Sequence, residues 1–265
     1  MTGAFSLLGR RALVTGANSG IGRAIALGLA RQGAEVAVHG DGDRGGLDSA
    51  CSEIGALGRA ARAFQADFLD PAAPEALARK VTNDFGSVDI LIANAAIERR
   101  APWQDVTSDH LMEHFTANFA SLIALCRALV PAMAARGWGR VVATGSVMAV
   151  RPRAETVAYA AIKSAQLTAI RALARDVAAS GVTMNVISPG AVETERTAHR
   201  YADAAFRRAV VAKIPAGRPG RPDDCVGAAI FLCSDEAAYL TGVNIPVDGG
   251  WTIGDAPGSL PGAAA

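Results

Sequence analysis

Tyr159 and Lys163 are the first pair of residues in this sequence that could do chemistry together. They lie four positions apart in the alanine-rich segment AYAAIKSAQ, residues 158–166. Four residues is about one helical turn, so a helix places both side chains on the same face. A tyrosine has an ordinary pKa of about 10, and a nearby ammonium favours its ionised form. A tyrosine on a helix flank beside a solvated lysine is the alternative interpretation.

A glycine-rich segment, TGANSGIG at residues 15–22, comes directly after the first predicted strand. Glycines allow a tight turn and a close approach of the backbone to a pyrophosphate, which the N-terminus of the following helix would face. The spacing differs from GxGxxG, and an ordinary glycine-rich turn is the alternative. The placement between a strand and a helix predicts a dinucleotide phosphate site formed by Gly16, Asn18, Ser19, Gly20, Ile21 and Gly22.

An acidic residue follows the second predicted strand, in the segment HGDGD at residues 39–43. A carboxylate at this place accepts hydrogen bonds from the adenosine ribose hydroxyls and repels a 2′-phosphate. Since neither Ser19 nor Asp41 is an arginine that would neutralise such a phosphate, Asp41 predicts NAD rather than NADP. Gly40 occupies the more diagnostic position and Arg44 is close in sequence, so NADP and a merely solvated Asp41 stay open as alternatives.

Two further strand ends carry candidate contacts to a flat cofactor. Asp67 and Phe68 follow the third predicted strand, where Asp67 could receive the adenine edge. Asn94 and Ala95 follow the fourth, where small residues let the backbone run beside the cofactor. Both segments also fit ordinary turns, because acidic residues are often solvated there and Asn tolerates the left-handed region.

The predicted elements of secondary structure must bring these residues together. Short apolar and β-branched runs alternate with helical stretches, which predicts a parallel sheet covered by helices on both faces. Seven strands are predicted: RALVTG, AEVAVHG, RAFQADF, VDILIAN, RVVATGS, VTMNVIS and NIPVDGG. The predicted fold class is a doubly wound α/β, or Rossmann, arrangement, in which ligands bind outside the carboxyl ends of the strands.

A length of 265 residues is compatible with one domain of this class. We expect residues 1–251 to form a single dinucleotide-binding and catalytic domain. A substrate lid is predicted at about residues 191–216, a segment with few strong apolar anchors. The Gly/Pro/Ala-rich end of the chain, residues 252–265, predicts a flexible tail.

Five motifs in sequence order make this chain resemble the short-chain dehydrogenase/reductase family. They are TGxxxGIG, an NAA segment, Ser146, the YxxxK pair Tyr159 and Lys163, and the PG pair Pro189 and Gly190. The resemblance extends from about residue 10 to residue 251. The family usually shows NNAG where this chain has ANAA, at residues 93–96. We expect this departure to affect cofactor affinity more than proton transfer.

The resemblance implies roles for four residues. Tyr159 would be the general acid/base at the substrate oxygen, and Lys163 would lower the pKa of Tyr159 and bond the nicotinamide ribose. Ser146 would hold the substrate oxygen. Asn118, inside a long predicted helix, matches the position that supports a proton-relay water, and a buried Asn there needs polar partners.

After the sixth strand, the resemblance implies further contacts to the nicotinamide. Pro189 and Gly190 would turn the chain beneath the ring, and Val192 or Thr194 would meet its carboxamide. The implied activity is a hydride transfer between NAD, or NADP, and a secondary alcohol or ketone.

The loops after strands four, five and six would contact the substrate. Their basic residues could meet an anion such as a sugar acid or a carrier-bound acyl group, with solvated surface arginines as the alternative. The segments IERR, IPAGRPGRPDD and VDGGW resemble sugar-acid and polyol dehydrogenases of the family, and also its 3-oxoacyl carrier-protein reductases. The absence of NADP-type arginines favours the first group. The candidate substrate contacts are Glu98, Arg100, Trp103, Met148 and Arg153.

Two other function classes compete with an oxidoreductase. A non-catalytic dinucleotide-binding sensor or scaffold would not need all four catalytic positions filled. A sugar-nucleotide epimerase of the extended relatives would need a larger C-terminal substrate domain.

The resemblance also implies a homotetramer, with a dimer as the alternative, that pairs through the helices around Asn118 and Tyr159. Small residues on the outward face of the second helix would permit close packing: Ala161, Ala165, Ala169 and Ala172.

Charge and composition narrow the class of partner. Lys and Arg number 26, Asp and Glu number 25, and no basic run predicts nucleic acid or an anionic membrane surface. The apolar stretches SLIALC and LVPAMAA are short and interrupted at Arg127, so we expect no membrane span. The N-terminus lacks a signal-peptide pattern, which predicts a cytoplasmic protein. The four cysteines lack paired or metal-binding spacing, so we expect free thiols and no metal site.

Overall fold

Seven short apolar runs form one parallel sheet in the computed structural model, which describes residues 3–254. The strands are β1 (Arg11–Thr15), β2 (Glu35–Gly40), β3 (Ala61–Gln65), β4 (Ile90–Ala93), β5 (Gly139–Thr144), β6 (Val182–Pro189) and β7 (Asn244–Val247). Their order is β3-β2-β1-β4-β5-β6-β7, and every pairing is parallel. All seven predicted strands and the doubly wound α/β class are confirmed.

Helices follow six of these strands and cover both faces of the sheet. In the described part of the chain they are α1 (Gly20–Arg31), α2 (Arg44–Ala56), α3 (Ala73–Phe85), α4 (Ser108–His114), α5 (Ser121–Ala135), α6 (Val157–Val177), α7 (Ala198–Tyr201), α8 (Ala204–Val211) and α9 (Val226–Cys233). A π-helical turn, Phe115–Ala120, joins α4 and α5 into one continuous helical segment.

Each face of the sheet buries its own apolar cluster, because side chains along a strand point alternately to the two faces. On one face, Ile25 of α1 is fully buried above β1 and β2, and Leu232 of α9 is fully buried beside α1 and β5. On the other, Leu129 of α5 and Ile170 of α6 pack with β5 and β6. Burying each such side chain stabilises the fold by about 1.5–3 kcal/mol.

Helices α1 and α9 approach each other closely at Gly28. A Cβ atom there would lie 2.3 Å from Cγ1 of Val226. Any side chain at Gly28 would therefore push α9 away from α1. Because the N-terminus of α1 follows the glycine-rich turn, this contact also fixes the direction of that turn.

The helical segment Ser108–Ala135 is long and apolar enough to cross a membrane, judged by length and composition alone. The prediction that its apolar stretches are too short and interrupted was wrong, because the π-helical turn and α5 continue through Arg127 without a break. In the structure 56% of its most apolar window is buried. Its apolar residues pack against α3 and the sheet, as is typical of a core helix.

The carboxyl ends of the strands meet at one edge of the sheet, and the strand order reverses between β1 and β4. Such a reversal leaves a crevice where ligands bind in this class of fold. Of the predicted tail, Thr252 and Ile253 lie in a 3₁₀ turn, and the backbone N–H of Thr252 donates to Asp248 Oδ2 at 2.8 Å. The remainder of the tail, residues 255–265, lies outside the described residues.

Candidate active site

Thr15 and Asn94 fasten the glycine-rich turn to β4. The Thr15 hydroxyl donates to the carbonyl oxygen of Ile92 at 3.2 Å and accepts from the backbone N–H groups of Asn94 and Ala95 at 2.9 and 3.0 Å. The Asn94 side-chain amide donates to the carbonyl oxygens of Thr15 and Gly16 at 3.0 and 3.1 Å. Asn94 and Ala95 line the cleft, and Asn94 also fixes the shape of the turn.

Gly20 and Gly22 make the turn possible for different reasons. Gly20 has a φ of +55°, in the left-handed region that favours glycine. A Cβ atom on Gly22 would lie 2.1 Å from the carbonyl oxygen of Gly16, so no side chain fits there. Gly22 packs beneath the turn and does not line the cleft, so its predicted direct contact with a cofactor is corrected to a packing role.

The N-terminus of α1 offers hydrogen-bond donors to an anion. Ser19 occupies the N-cap position, its side chain makes no capping hydrogen bond, and the first turn of α1 has no acidic residue. The first N–H groups of such a helix lack internal partners and carry the positive end of its dipole. Gly16, Asn18, Ser19, Gly20 and Ile21 line the cleft at this place. These residues fit the dinucleotide pyrophosphate that the sequence predicts.

His39 and Phe68 form a stacked pair beside the ends of β2 and β3. Their ring centroids are 4.5 Å apart with an interplanar angle of 15°. His39 Nε2 lies 3.0 Å from the carbonyl oxygen of Ala66, and since a carbonyl only accepts, Nε2 carries the proton. Burial lowers the pKa of His39 to about 4, so the ring is neutral at neutral pH. His39 lines the cleft, and no sequence motif predicts a role for it.

Two acidic residues lie at the same end of the cleft. Asp41 is exposed, and its Oδ1 accepts from the N–H of Gly42 at 2.8 Å. Asp67 Oδ1 accepts from the N–H of Leu69 at 2.9 Å. Both acidic residues and Phe68 line the cleft, as predicted from the strand ends. Each carboxylate keeps an oxygen that can accept from a ribose hydroxyl or an adenine amine.

Ser146, Tyr159 and Lys163 meet at the floor of the cleft. Ser146 Oγ accepts from the N–H of Met148 at 3.1 Å and is hydrogen-bonded to Tyr159. Lys163 Nζ donates to the carbonyl oxygen of Thr144 at 2.6 Å and lies 5.5 Å from the centroid of the Tyr159 ring. The end of β5 and the first turns of α6 therefore bring a hydroxyl, a phenol and an amine together.

Burial dominates the pKa values of this group. It raises the pKa of Tyr159, as does the Glu98 carboxylate to a smaller extent, and the hydrogen bond to Ser146 opposes that rise. Burial lowers the pKa of Lys163 to about 7. In the protein without a bound cofactor, Lys163 does not lower the pKa of Tyr159, contrary to the expectation from the resemblance. Both charged forms are disfavoured by burial, and the amine is only partly charged near neutral pH.

Asn118 lies on the π-helical turn, behind the wall of the cleft. Its side-chain oxygen accepts from the N–H of Ile97 at 2.8 Å, and its amide donates to the carbonyl oxygen of Ile97 at 2.9 Å. Its own carbonyl oxygen accepts from Gln166 Nε2 at 2.7 Å. Asn118 is 1% exposed and has the polar partners it needs. It ties the loop after β4 to the helix, and its role in a proton relay stays a prediction.

The predicted lid contains α7 and α8 and has an apolar core of its own. Tyr201, Val210 and Ile214 are 5–8% exposed and pack with Val147 and Trp251. The expectation of few apolar anchors was therefore wrong. The partner that the sequence pattern does not reveal is Trp251, which follows β7 and returns to the lid.

The segment after β6 connects the lid to the glycine-rich turn. Pro189, Gly190, Val192 and Thr194 all line the cleft, and their contacts to a nicotinamide stay a prediction. A Cβ atom on Gly20 would lie 3.4 Å from Cγ2 of Thr194, so the first residues of the lid contact the turn after β1. The segment predicted to contact the nicotinamide therefore also borders the predicted phosphate site.

Glu98 and Arg100 form an ion pair at the mouth of the cleft, with Arg100 Nε 2.8 Å from Glu98 Oε1. Met148 and Arg153 line the same mouth. Arg196 lines it too, although the sequence analysis included it only within the lid segment. An arginine-rich lid was visible in the sequence, but which arginines turn inward depends on the packing of α7 and α8.

Trp103 lies outside the cleft. It stands on the 3₁₀ turn Trp103–Asp105, and 61% of its surface is exposed. The N–H of Ala101 donates to the carbonyl oxygen of Glu155 at 3.2 Å, and from there the chain leaves the mouth. The prediction of a substrate contact by Trp103 is therefore corrected.

The cleft encloses about 540 Å³ and runs from Asp41 past the glycine-rich turn to Tyr159 and the lid. Its lining includes the residues predicted to contact a cofactor and most of those predicted to contact a substrate. Among residues 3–254, no cluster of three or more His, Cys, Asp or Glu side chains could hold a metal ion. The four cysteines are free thiols, three of them buried.

Comparisons with known proteins agree with this geometry. A family model described as enoyl-(acyl carrier protein) reductase matches residues 16–252. The 2-dehydro-3-deoxy-D-gluconate 5-dehydrogenase of Pseudoalteromonas atlantica is 39% identical over 248 residues, which cover 93% of this chain and 97% of that protein.

Two solved structures share the fold over nearly their whole length. The 3-oxoacyl (acyl-carrier-protein) reductase of Agrobacterium tumefaciens with NADP bound has a TM-score of 0.89 and 38% identity, covering 92% of this chain and 95% of that one. The gluconate 5-dehydrogenase of Burkholderia cenocepacia in complex with NADP and tartrate has a TM-score of 0.87 and 34% identity, covering 94% and 97%. The match of sequence, fold and site places this chain in the short-chain dehydrogenase/reductase family of oxidoreductases.

Proposed function

We propose that this protein transfers a hydride between NAD and a secondary alcohol or ketone of a sugar acid, a sugar or a polyol. The observation that carries the proposal is the meeting of Ser146, Tyr159 and Lys163 in one cleft with the glycine-rich turn. The relatives named above give the proposal its substrate class, since two of them are dehydrogenases of sugar acids.

Each of these side chains has a task in the proposed reaction. A bound nicotinamide would supply or accept the hydride and, when oxidised, would add a positive charge near Tyr159. The Tyr159 hydroxyl would pass a proton to or from the substrate oxygen, while the Ser146 hydroxyl holds that oxygen in place. In its charged form Lys163 has two N–H donors besides the one that the Thr144 carbonyl oxygen accepts, and these would bond the nicotinamide ribose.

The charges around the mouth support an anionic, hydroxyl-bearing substrate. Arg100, Arg153 and Arg196 supply guanidinium groups that can bind a carboxylate, and Glu98 supplies a carboxylate that can accept from sugar hydroxyls. Arg153 also lies with its guanidinium carbon 5.5 Å from the centroid of the Trp251 ring, which holds it beside the lid.

The charges at the end of the cleft that carries Asp41 and Asp67, where the adenosine would bind, support NAD as the cofactor. Asp41 lines that end, and the nearest arginines in sequence have other partners: Arg23 pairs with Glu53, and Arg44 with Asp48. A 2′-phosphate would therefore meet a carboxylate without a neutralising arginine. The relatives with NADP bound make NADP the alternative, and binding of both cofactors decides between them.

A screen of substrates tests the proposed class. Purified protein is mixed with each cofactor and with sugar acids, sugars, polyols or 3-oxoacyl thioesters, and the absorbance band of reduced nicotinamide is followed. Sugar acids or polyols should react best. A clear preference for 3-oxoacyl thioesters would support the carrier-protein reductase alternative. Cofactor binding without turnover of any substrate would support a non-catalytic sensor or scaffold.

A charge variant sharpens this test. Arg153→Gln should raise the KM for a sugar acid about tenfold, as expected for loss of a charged hydrogen bond, and leave the KM for a neutral polyol nearly unchanged. Arg175→Gln, on an exposed site at the end of α6, serves as the control. Equal effects of Arg153→Gln on acid and polyol would contradict recognition of a carboxylate by this residue.

The protein's assembly and location are proposals of the same kind. An apolar strip beside the site is partly exposed, with Leu111 and Phe115 at 48% and 40% and Val157 of α6 at 43%. Ala161 and Ala172 are exposed on α6, whereas Ala165 and Ala169 are half-buried. This surface supports pairing of α4–α5 and α6 between copies in a cytoplasmic homotetramer, with a dimer as the alternative. Light scattering on the purified protein measures the state directly.

A further inference from the structure

The loop after β4 is held to the neighbouring helical segment at alternate residues. Asn118 binds both backbone groups of Ile97, and the N–H of Arg99 donates to Nε2 of His114 at 3.2 Å. The Arg99 guanidinium forms an ion pair with Glu113, also on α4. These attachments at Ile97 and Arg99 fix the loop against α4 and the π-helical turn.

His114 is in the tautomer that this contact needs. Its Nδ1 lies 2.9 Å from the carbonyl oxygen of His110, and because a carbonyl only accepts, Nδ1 carries the proton. Nε2 is then a lone pair that accepts from the N–H of Arg99. The side chain is 0% exposed, so solvent does not compete for Nε2 in the folded protein.

Burial is the main reason that the His114 ring is neutral. Burial lowers its pKa, and the neighbouring His110 and Arg99 lower it further, against the hydrogen bond to the His110 carbonyl and the Glu113 carboxylate. A neutral ring keeps Nε2 as an acceptor at neutral pH. Nothing in the proposed hydride transfer uses this histidine, which leaves its burial to be explained by the loop.

We propose that His114 is a positioning residue that holds the loop after β4 so that Glu98 and Arg100 face the substrate. This inference rests on the proposed function. Glu98 and Arg100 flank Arg99 in sequence, line the mouth of the cleft and pair with each other. With the backbone of Arg99 fixed by His114, its two neighbours are held in one orientation toward the cleft. His114 thus sets substrate affinity without touching the substrate.

Two variants separate the acceptor from the ring volume. His114→Phe keeps a buried ring but removes the acceptor, leaving the N–H of Arg99 unpaired. His114→Gln carries a side-chain oxygen that reaches the position of Nε2. His110→Gln is the matched control, because it makes the same exchange one turn earlier and leaves the His110 carbonyl in place.

Amide hydrogen exchange of residues 96–101 and steady-state kinetics with D-gluconate are measured on all four proteins, including the native one. His114→Phe should speed exchange at Arg99 about tenfold, as expected for loss of one hydrogen bond, and raise the KM for D-gluconate by a similar factor. The Kd for NADH and the value of kcat should change by less than about twofold. His114→Gln should restore both exchange and KM, and His110→Gln should match the native protein.

Unchanged exchange in His114→Phe, or faster exchange with an unchanged KM, would overturn the proposal. So would a loss of cofactor binding in step with the rise in KM, which indicates general loosening of the fold. If the native protein turns over no sugar acid, sugar or polyol, the proposed function fails, and exchange at Arg99 alone decides whether His114 holds the loop.

Discussion

Lys163 donates a hydrogen bond to the carbonyl oxygen of Thr144 at 2.6 Å, and both residues are buried beside Tyr159. The bond joins α6 to the end of β5, one residue before the glycine that precedes Ser146. It therefore fixes the distance between the amine and the serine hydroxyl. The amine is fixed at a cost, because burial disfavours its charged form.

The first prediction concerns Tyr159 as the proton donor and acceptor. Tyr159→Phe should lower kcat by roughly a hundredfold to ten-thousandfold, the usual contribution of general acid–base catalysis, because it removes only the hydroxyl. The Kd for NADH, measured by fluorescence titration, should change little. Tyr239→Phe makes the same exchange at a fully exposed position and should have no effect. A Tyr159→Phe enzyme that keeps more than about a tenth of native turnover would refute the assigned role.

The second prediction concerns the stability cost of Lys163. Its pKa is lowered from 10.5 to about 7, so between these values the unfolded chain binds a proton that the folded chain does not. The contribution of Lys163 to the free energy of unfolding is therefore highest above pH 10.5 and decreases as the pH falls to 7. The difference is at most roughly 5 kcal/mol. Lys163→Met should remove this dependence and abolish turnover.

Urea unfolding at several pH values between 7 and 10 measures the effect as a difference between native and variant proteins. The difference is needed because burial raises the pKa values of Cys126, Cys225 and Cys233. These thiols ionise more readily in the unfolded chain, so they lower the stability of the fold as the pH rises above 9, which opposes the effect of Lys163. Lys213→Met, at an exposed site, should leave the native pH dependence intact. An identical pH slope in native protein and Lys163→Met would contradict the lowered pKa.

The strands and their ligand-facing ends were predictable because each depends on local sequence. A buried parallel strand is a continuous apolar run, and the residues just after it must lie at the carboxyl edge. This places Asp41, Asp67, Asn94 and Ser146 in the cleft before any contact is known. Gly22 illustrates the limit of that reasoning. It belongs to the turn, but its distance to the Gly16 carbonyl oxygen decides that it packs beneath it.

The remaining features depend on contacts between segments distant in sequence. Trp103 turns outward because the chain leaves the mouth at Ala101, where it bonds to Glu155. The lid owes its core to Trp251, about fifty positions away. The low pKa of Lys163 follows from its burial, which the spacing of Tyr159 and Lys163 does not reveal. The local sequence pattern predicts which residues lie near a ligand, whereas contacts with distant segments determine the orientation and charge of their side chains.

The third prediction concerns Asp41 and the choice of cofactor. If Asp41 accepts from the adenosine ribose, Asp41→Ala should weaken NADH about tenfold through loss of a charged hydrogen bond. It should also tighten NADPH, because the 2′-phosphate no longer meets a carboxylate. Isothermal titration with both cofactors gives the ratio of Kd values. Asp176→Ala, exposed near the end of α6, is the control. An unchanged ratio in Asp41→Ala would mean that Asp41 is only a solvated turn residue.

The fourth prediction concerns His39 and the stability of the adenosine end in acid. Its pKa is lowered from 6.5 to about 4, so between these values the unfolded chain binds a proton that the folded chain excludes. Stability from the neutral ring is complete above pH 6.5 and is lost as the pH falls to 4, by at most roughly 3 kcal/mol. His39→Phe keeps the stack on Phe68 but cannot titrate.

Thermal or urea unfolding of native protein and His39→Phe between pH 7 and 4 tests this account. The native protein should lose more stability than the variant over this range, because only the native protein has a side chain at position 39 that binds a proton on unfolding. His114 also has a lowered pKa and also reduces the stability of the fold in acid. Because it does so equally in both proteins, its effect cancels when the two curves are subtracted. His199→Phe, at an exposed position of the lid, should follow the native curve. Parallel curves for native protein and His39→Phe would show that acid sensitivity arises elsewhere, since proton uptake by His39 on unfolding would make the two curves diverge.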